Sequence, residues 1–329
     1  MNAPAAFMVL RWLAWDTLRQ AQASAIFWAM LAVSLLAIVF CATLSTPGLP
    51  VMPTGEAPYR VPPLDPEAKK APREGVDTID GELRFLFGAV RVQWSSYRDT
   101  AVRWVQLLLA GGVADTLGLL LALIWTSAFL PAFLEPAAAT VLLAKPAPRW
   151  MLLAGKFLGV VLLVLFQAGV FVGGTWVALG LATGIWDGRY LLAVPLLVLN
   201  FTVFFSFSCL LAVWTRSSTV CIFGSLLFWA LCWGMNYGRH AHLFHEAGVA
   251  TGLGAGLELG YWILPKPLDL SHALSLALGA HEELPLHWEI LARLAADGSL
   301  ALTGSILSSL AFALAMLAAA AYELSHADY

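Results

Sequence analysis

Long apolar stretches dominate this sequence, and the distance between consecutive charged residues measures them. No Asp, Glu, Lys or Arg falls between Arg19 and Glu56, Asp115 and Glu135, Lys156 and Asp187, Arg189 and Arg216, Arg216 and Arg239, or Asp297 and Glu323. A helix crosses the ~30 Å hydrocarbon core with roughly 20 apolar residues. The six gaps therefore predict spans near 22–44, 113–134, 157–183, 190–214, 218–237 and 300–321. Lipid offers the backbone no hydrogen-bond partner, so each span is expected to be a helix; a membrane barrel would alternate over ~10-residue segments. The expected fold is an all-α polytopic membrane protein, one transmembrane domain over residues 1–329.

Composition agrees with that solvent. With 60% apolar and 12% charged residues, a soluble chain of 329 residues would precipitate. The net charge of -3 gives no support to nucleic-acid binding. Cys41, Cys209, Cys221 and Cys232 all fall inside the expected spans without metal-ligand spacing and read as small packing residues.

Before span one, residues 7–20 interleave Phe7, Leu10, Leu13 and Trp15 with Arg11, Asp16 and Arg19. That pattern suits a short interfacial elbow helix over residues 1–21, the other reading being a frayed start of span one. Basic residues near span ends stay cytoplasmic. Arg11 and Arg19, then Lys145, Arg149 and Lys156, then Arg216 mark one side, with only Asp16 and Glu135 as acids; residues 239–297 are rich in acids and mark the other. Both termini are then expected in the cytoplasm. The outer segments are 45–112, which opens with a proline-rich charged stretch, and 239–299. The latter contains an apolar run over 243–264 that reads as a re-entrant or interfacial helix, or as a further crossing that would place the C-terminus outside.

Several polar groups are candidates for chemistry. His240, His242 and His245 cluster beside Glu246, a possible metal or proton site without the HExxH spacing; a solvated cluster is the blander reading. Arg84, Arg91 and Arg98 are spaced by seven, which on a helix makes one basic stripe. The alternation of Leu83, Phe85, Phe87 and Ala89, then Val90, Val92 and Trp94 after a phase shift, equally describes a bulged strand. Asp115, Gln167, Asn200 and Asn236 lie in or beside spans, where polar groups bond neighbouring helices or line water.

Between spans two and three, Pro131 and Pro136, then Pro146 and Pro148, bracket Ala137–Ala144, enough chain for about two helical turns. Glu135 precedes this piece, and Lys145, Arg149 and Lys156 follow it. Ordinary positive-inside anchoring is the competing explanation for that charge. The order FLPAFLEP, LLAKPAPRW and GKFLG, then GTWVALGLATGIWDGRYLL, AVWTRSS and LFWALCWGMNYGR, resembles type-2 ABC exporter permeases. The nearest branch in pattern is the one with the nitrous-oxide-reductase maturation permeases. The likeness covers roughly residues 105–239, and the proline-bounded turn is its most specific part.

The resemblance implies a permease subunit in a bacterial inner membrane. It implies two partners: a separate cytoplasmic ATPase that binds the ATP, and a second permease copy or related permease. It also implies that residues 135–156 form the coupling region docked on that ATPase, with Glu135, Pro136, Lys145, Pro146, Arg149 and Lys156 as docking residues. The chain has no GxxxxGK[ST] of its own, so no cofactor is expected in it. Two other classes remain open: a membrane protein passing force or signal to an outer partner, and an intramembrane metal-dependent enzyme.

Overall fold

A computed structural model describes residues 3–51, 81–94, 97–134, 148–245, 251–278 and 302–326. Within them, six helices are long and apolar enough to cross a membrane. This is the all-α, multi-pass architecture expected. Helix α1 (Ala3–Gln22) turns at Ala23 into α2 (Ala25–Ala42), span one. Ser24 stops the first helix and starts the second: its backbone is extended, and its hydroxyl accepts from the Ile26 N–H.

Span two, α3 (Arg98–Ala132), begins well before the charge gap that predicts it. The arginines of its first turns find acceptors on other segments, so they end no helix. Arg98 donates to the carbonyls of Leu49 and Thr183, and Arg103 pairs with Asp187 at 3.2 Å. Its middle, Leu108–Gly118, is wound as a π-helix, a form rare outside single turns and frequent at functional sites. Span three, α4 (Arg149–Thr183), is one continuous helix of 35 residues, ~52 Å long at 1.5 Å per residue. Gly184, at φ 77°, closes it with the left-handed cap that glycine adopts at least cost.

A short 3-10 turn leads to span four, α5 (Ala193–Thr215); span five is α6 (Ser218–His245) and span six is α9 (Leu302–His326). Between the last two lie α7 (Thr251–Ile263) and α8 (Pro267–Leu278). Gly254 lies against His242, Leu257 against Gly238 and Gly260 against Met235, so α7 folds back antiparallel along the end of α6. At 13 residues, α7 is ~20 Å long, short of the ~30 Å needed to cross. The run over 243–264 is thus a returning helix among the described residues.

The arginines spaced by seven form no helical stripe. Gly81–Phe85 (β1) pairs antiparallel with Val90–Trp94 (β2), which places Arg84 directly opposite Arg91, while Arg98 opens α3. The phase shift after Ala89 is the end of a hairpin turn whose residues Leu86 and Phe87 adopt left-handed backbone at φ 51° and 56°. Leu83 and Phe85 are buried against the bundle, and Phe85 stacks on Phe40 at 5.0 Å. Phe87 at the tip is 93% exposed.

Large apolar side chains such as Leu36, Leu181, Leu227 and Leu314 point outward, as they do on a surface solvated by lipid. Inside, the packing divides into two clusters. One gathers Phe27, Leu123, Trp125, Leu163, Phe204 and Cys209 toward the end carrying α1. The other gathers Cys41, Leu83, Val105, Val172, Leu179 and Tyr190 toward the end carrying the hairpin.

Candidate functional site

Helix α1 lies on the first turns of α4, and two contacts hold it there. Lys156 is buried at 2% exposure and donates to Gln20 Oε1 at 2.7 Å and to Asp16 Oδ2 at 3.3 Å. Burying an ammonium is tolerated when acceptors surround it. Below it, Gly159 admits a close approach: a Cβ there would stand 2.8 Å from Thr17 Oγ1 and 3.2 Å from the Ala14 Cα. Arg149, at the start of the same helix, donates to the Leu324 carbonyl of α9 at 3.3 Å. The beginning of span three is thereby tied to the elbow helix and to span six.

Of the six expected docking residues, only Arg149 and Lys156 fall within the described chain. Glu135, Pro136, Lys145 and Pro146, with the proline-bounded piece between them, lie outside the described residues. Lys156 faces α1 within the fold, and Arg149 lies at the rim of α4.

Halfway along the bundle, Asp115 of the π-helical segment accepts from Asn200 Nδ2 at 2.7 Å and from the Ser271 hydroxyl. One carboxyl group thus joins spans two and four to α8. Nearby, the two packing clusters are separated by a cavity of about 250 Å³ between α2, α3, α4 and α5. Its wall includes Met30, Ser34, Ala114, Gln167, Phe171 and Phe201. Spans one and two touch through the rings of Phe27 and Trp125, and both also contribute to the cavity wall.

At the far end, Asp269 of α8 is the hub of a buried polar network. It accepts from Asn236 at 3.1 Å and from the Tyr261 hydroxyl at 2.6 Å, with Ser305 as a further donor. His240 Nε2 lies 3.2 Å from the same carboxyl group. Arg239 stands 3.7 Å from the Tyr261 ring centroid and pairs with Glu258 at 2.7 Å. That contact holds the Glu258 carboxyl below its ordinary range, the Arg239 hydrogen bond being the main cause. Lys266 donates to Ser308 at 2.6 Å, and burial pushes its ammonium down to about 8.

The histidines do not gather into one site. His240 turns to Asp269 and His242 packs on Gly254, whereas the His245 side chain and Glu246 lie outside the described residues. Among the described residues, no three His, Cys, Asp or Glu side chains are placed to hold a metal ion.

Of the polar span residues singled out in the sequence, Asn200, Asn236 and Asp115 bond neighbouring helices, while the Gln167 amide has no hydrogen-bond partner among the described residues. The sequence did not single out Tyr261, Asp269 or Ser271 as partners. Asp269 alone carried a signal, an acid between two apolar helical runs, but its partners depend on how those runs fold back.

Comparison with protein-family models finds no match, and comparison with curated proteins finds none either.

Proposed function

We propose that this chain is the membrane subunit of an ATP-driven exporter in a bacterial inner membrane, powered by a separate cytoplasmic ATPase. A second permease unit completes the path, and both termini lie in the cytoplasm. The observation that carries the proposal is the locking of α1 onto the first turns of α4, directly after the proline-bounded segment. A push on residues 135–156 meets a braced, continuous helix. It therefore shifts α1 and span three as one body instead of bending a free end.

Span three then carries the displacement ~52 Å, past the mid-bundle cavity, to the end where the Thr183 carbonyl accepts from Arg98. An ATPase can switch a permease only by binding its two conformations unequally, so the coupling free energy resides at the segment it grips. No nucleotide chemistry is asked of this chain.

The test is co-purification with each ATPase encoded beside this gene, followed by ATP hydrolysis and transport into sealed vesicles. A partner ATPase should bind, and its activity should change on addition of this chain. Glu135→Ala and Arg149→Ala should remove that response while the purified chain keeps its thermal unfolding profile. If no ATPase binds, and hydrolysis ignores both substitutions, the exporter reading falls. If hydrolysis couples without transport, a force-transmitting protein is the better account.

A further inference from the structure

The mid-bundle cavity lies where the two packing clusters meet: Leu119, Ala122, Val164 and Phe201 of one and Phe171 and Leu197 of the other all line it. Protein interiors close such gaps because unfilled space forfeits dispersion contacts. Apolar cavities of about 150 Å³ stay dry and accept a benzene-sized guest. This one is larger, at about 250 Å³.

Two further features narrow what fits. Gln167 belongs to the cavity wall and is 5% exposed, and its amide nitrogen and oxygen, both buried, have no hydrogen-bond partner among the described residues. An unpaired buried amide is costly, and more so at mid-bundle, where water is excluded. The other polar wall residue, Ser34, already donates to the Met30 carbonyl. No ionisable side chain is among the described residues lining the space. A charged guest would therefore sit uncompensated, whereas a neutral hydrogen-bonding group would satisfy Gln167.

Access is lateral. Val33 of span one and Leu117 and Leu121 of span two line the cavity and are also exposed on the bundle surface. The mouth thus opens toward lipid. Leu117 belongs to the π-helical stretch, which also contributes Val113, Ala114 and Gly118 to the lining.

We propose that this cavity binds an uncharged, membrane-dissolved amphiphile that enters between spans one and two. Its alkyl body would replace the missing core packing, and one hydroxyl or carbonyl group would pair with Gln167. The binding site stands without the transport reading; only the occupant's role as cargo rests on that reading.

The experiment uses the full chain in phosphatidylcholine nanodiscs, with two photoreactive probes of equal length: a hexadecanol and a hexadecane, each with a mid-chain diazirine. Cross-linked residues are mapped by mass spectrometry. The alcohol should label the cavity wall saturably and in preference to the alkane. Gln167→Leu should cut alcohol labelling by about five- to tenfold, the loss of one net hydrogen bond, and leave alkane labelling unchanged. Ala168→Phe, which fills the space, should abolish both at the wall.

Gln167→Met serves if the leucine variant does not fold, judged by thermal unfolding. Equal labelling by alcohol and alkane in the unsubstituted protein would mean that any chain enters, and overturns the proposal. Labelling spread over lipid-facing residues such as Leu36 and Leu227 overturns it too. An ATPase that fails to couple removes the exporter reading and leaves this site standing; scattered labelling does the reverse.

Discussion

Lys156 Nζ stands 2.7 Å from Gln20 Oε1, joining the first turns of span three to the last turn of the elbow helix across 136 residues of sequence. The pair is unequally exposed to solvent. Lys156 is buried, while the other acceptor, Asp16, has a side chain 48% exposed. Removing the acceptors with Asp16→Ala and Gln20→Leu together leaves a buried ammonium short of partners and should cost about 3 kcal/mol. Lys156→Met leaves Asp16 half in solvent and should cost about 1 kcal/mol. Thermal unfolding in one fixed detergent ranks them, and the reverse order would show that the pair is not held by a buried charge.

Gly159 and Gly174 both sit at helix crossings on span three, but their neighbours differ. A Cβ at Gly159 meets the Ala14 backbone, which cannot yield without moving α1; at Gly174 it meets the end of the Ile38 side chain, which can rotate. Gly159→Ala should therefore cost about 1–3 kcal/mol, loosen α1 and speed tryptic cleavage at Arg19. Gly174→Ala should leave both readouts nearly unchanged. Equal sensitivity at the two positions would contradict the close backbone approach.

Lys266 gives a pH signature of defined sign. Its folded value of about 8 lies below its ordinary 10.5, so between those pH values the unfolded chain binds more protons than the folded one. The Lys266 contribution to stability, read as the difference between the unsubstituted protein and Lys266→Met, should rise as pH climbs from 8 toward 10.5, and its penalty should be fully present well below 8. The Tyr261 phenol, pushed up by burial in the folded chain, still titrates near its ordinary 10 in the unfolded chain and opposes that rise at the top of the window. Lys266→Met should flatten the rise, measured by unfolding midpoints at fixed ionic strength; an unchanged slope would assign it to another group.

Asp115 ties α8 to the middle of the bundle, so its loss should be read there. Asp115→Leu strands the donors of Asn200 and Ser271 and should cost about 1–3 kcal/mol. Amide exchange over residues 267–278 should speed up with it. Asp115→Asn keeps one acceptor oxygen and offers an N–H to Asn200 Oδ1, which has no partner among the described residues, so it should be the milder change. Identical exchange in all three proteins would show that α8 is held elsewhere.

Charge spacing alone determined the number of long helices and their approximate positions, because a charge facing lipid is too costly to hide within a span. It underestimated span two, because Arg98 donates to the Leu49 and Thr183 carbonyls and Arg103 pairs with Asp187, partners that come from other segments. Spacing could not choose between a helix and a bulged strand for Arg84 and Arg91, and the chain instead forms two paired strands, with the seven-residue interval placing the two arginines directly opposite each other. The polar residues in spans were visible as costs that needed partners. Which partner each takes depended on helix register: Asn200 reaches Asp115 over 85 residues and Ser271 reaches it over 156. The gap beside Gln167 lies between four helices that only the tertiary fold brings together, and a void has no residues of its own to leave a mark in the sequence.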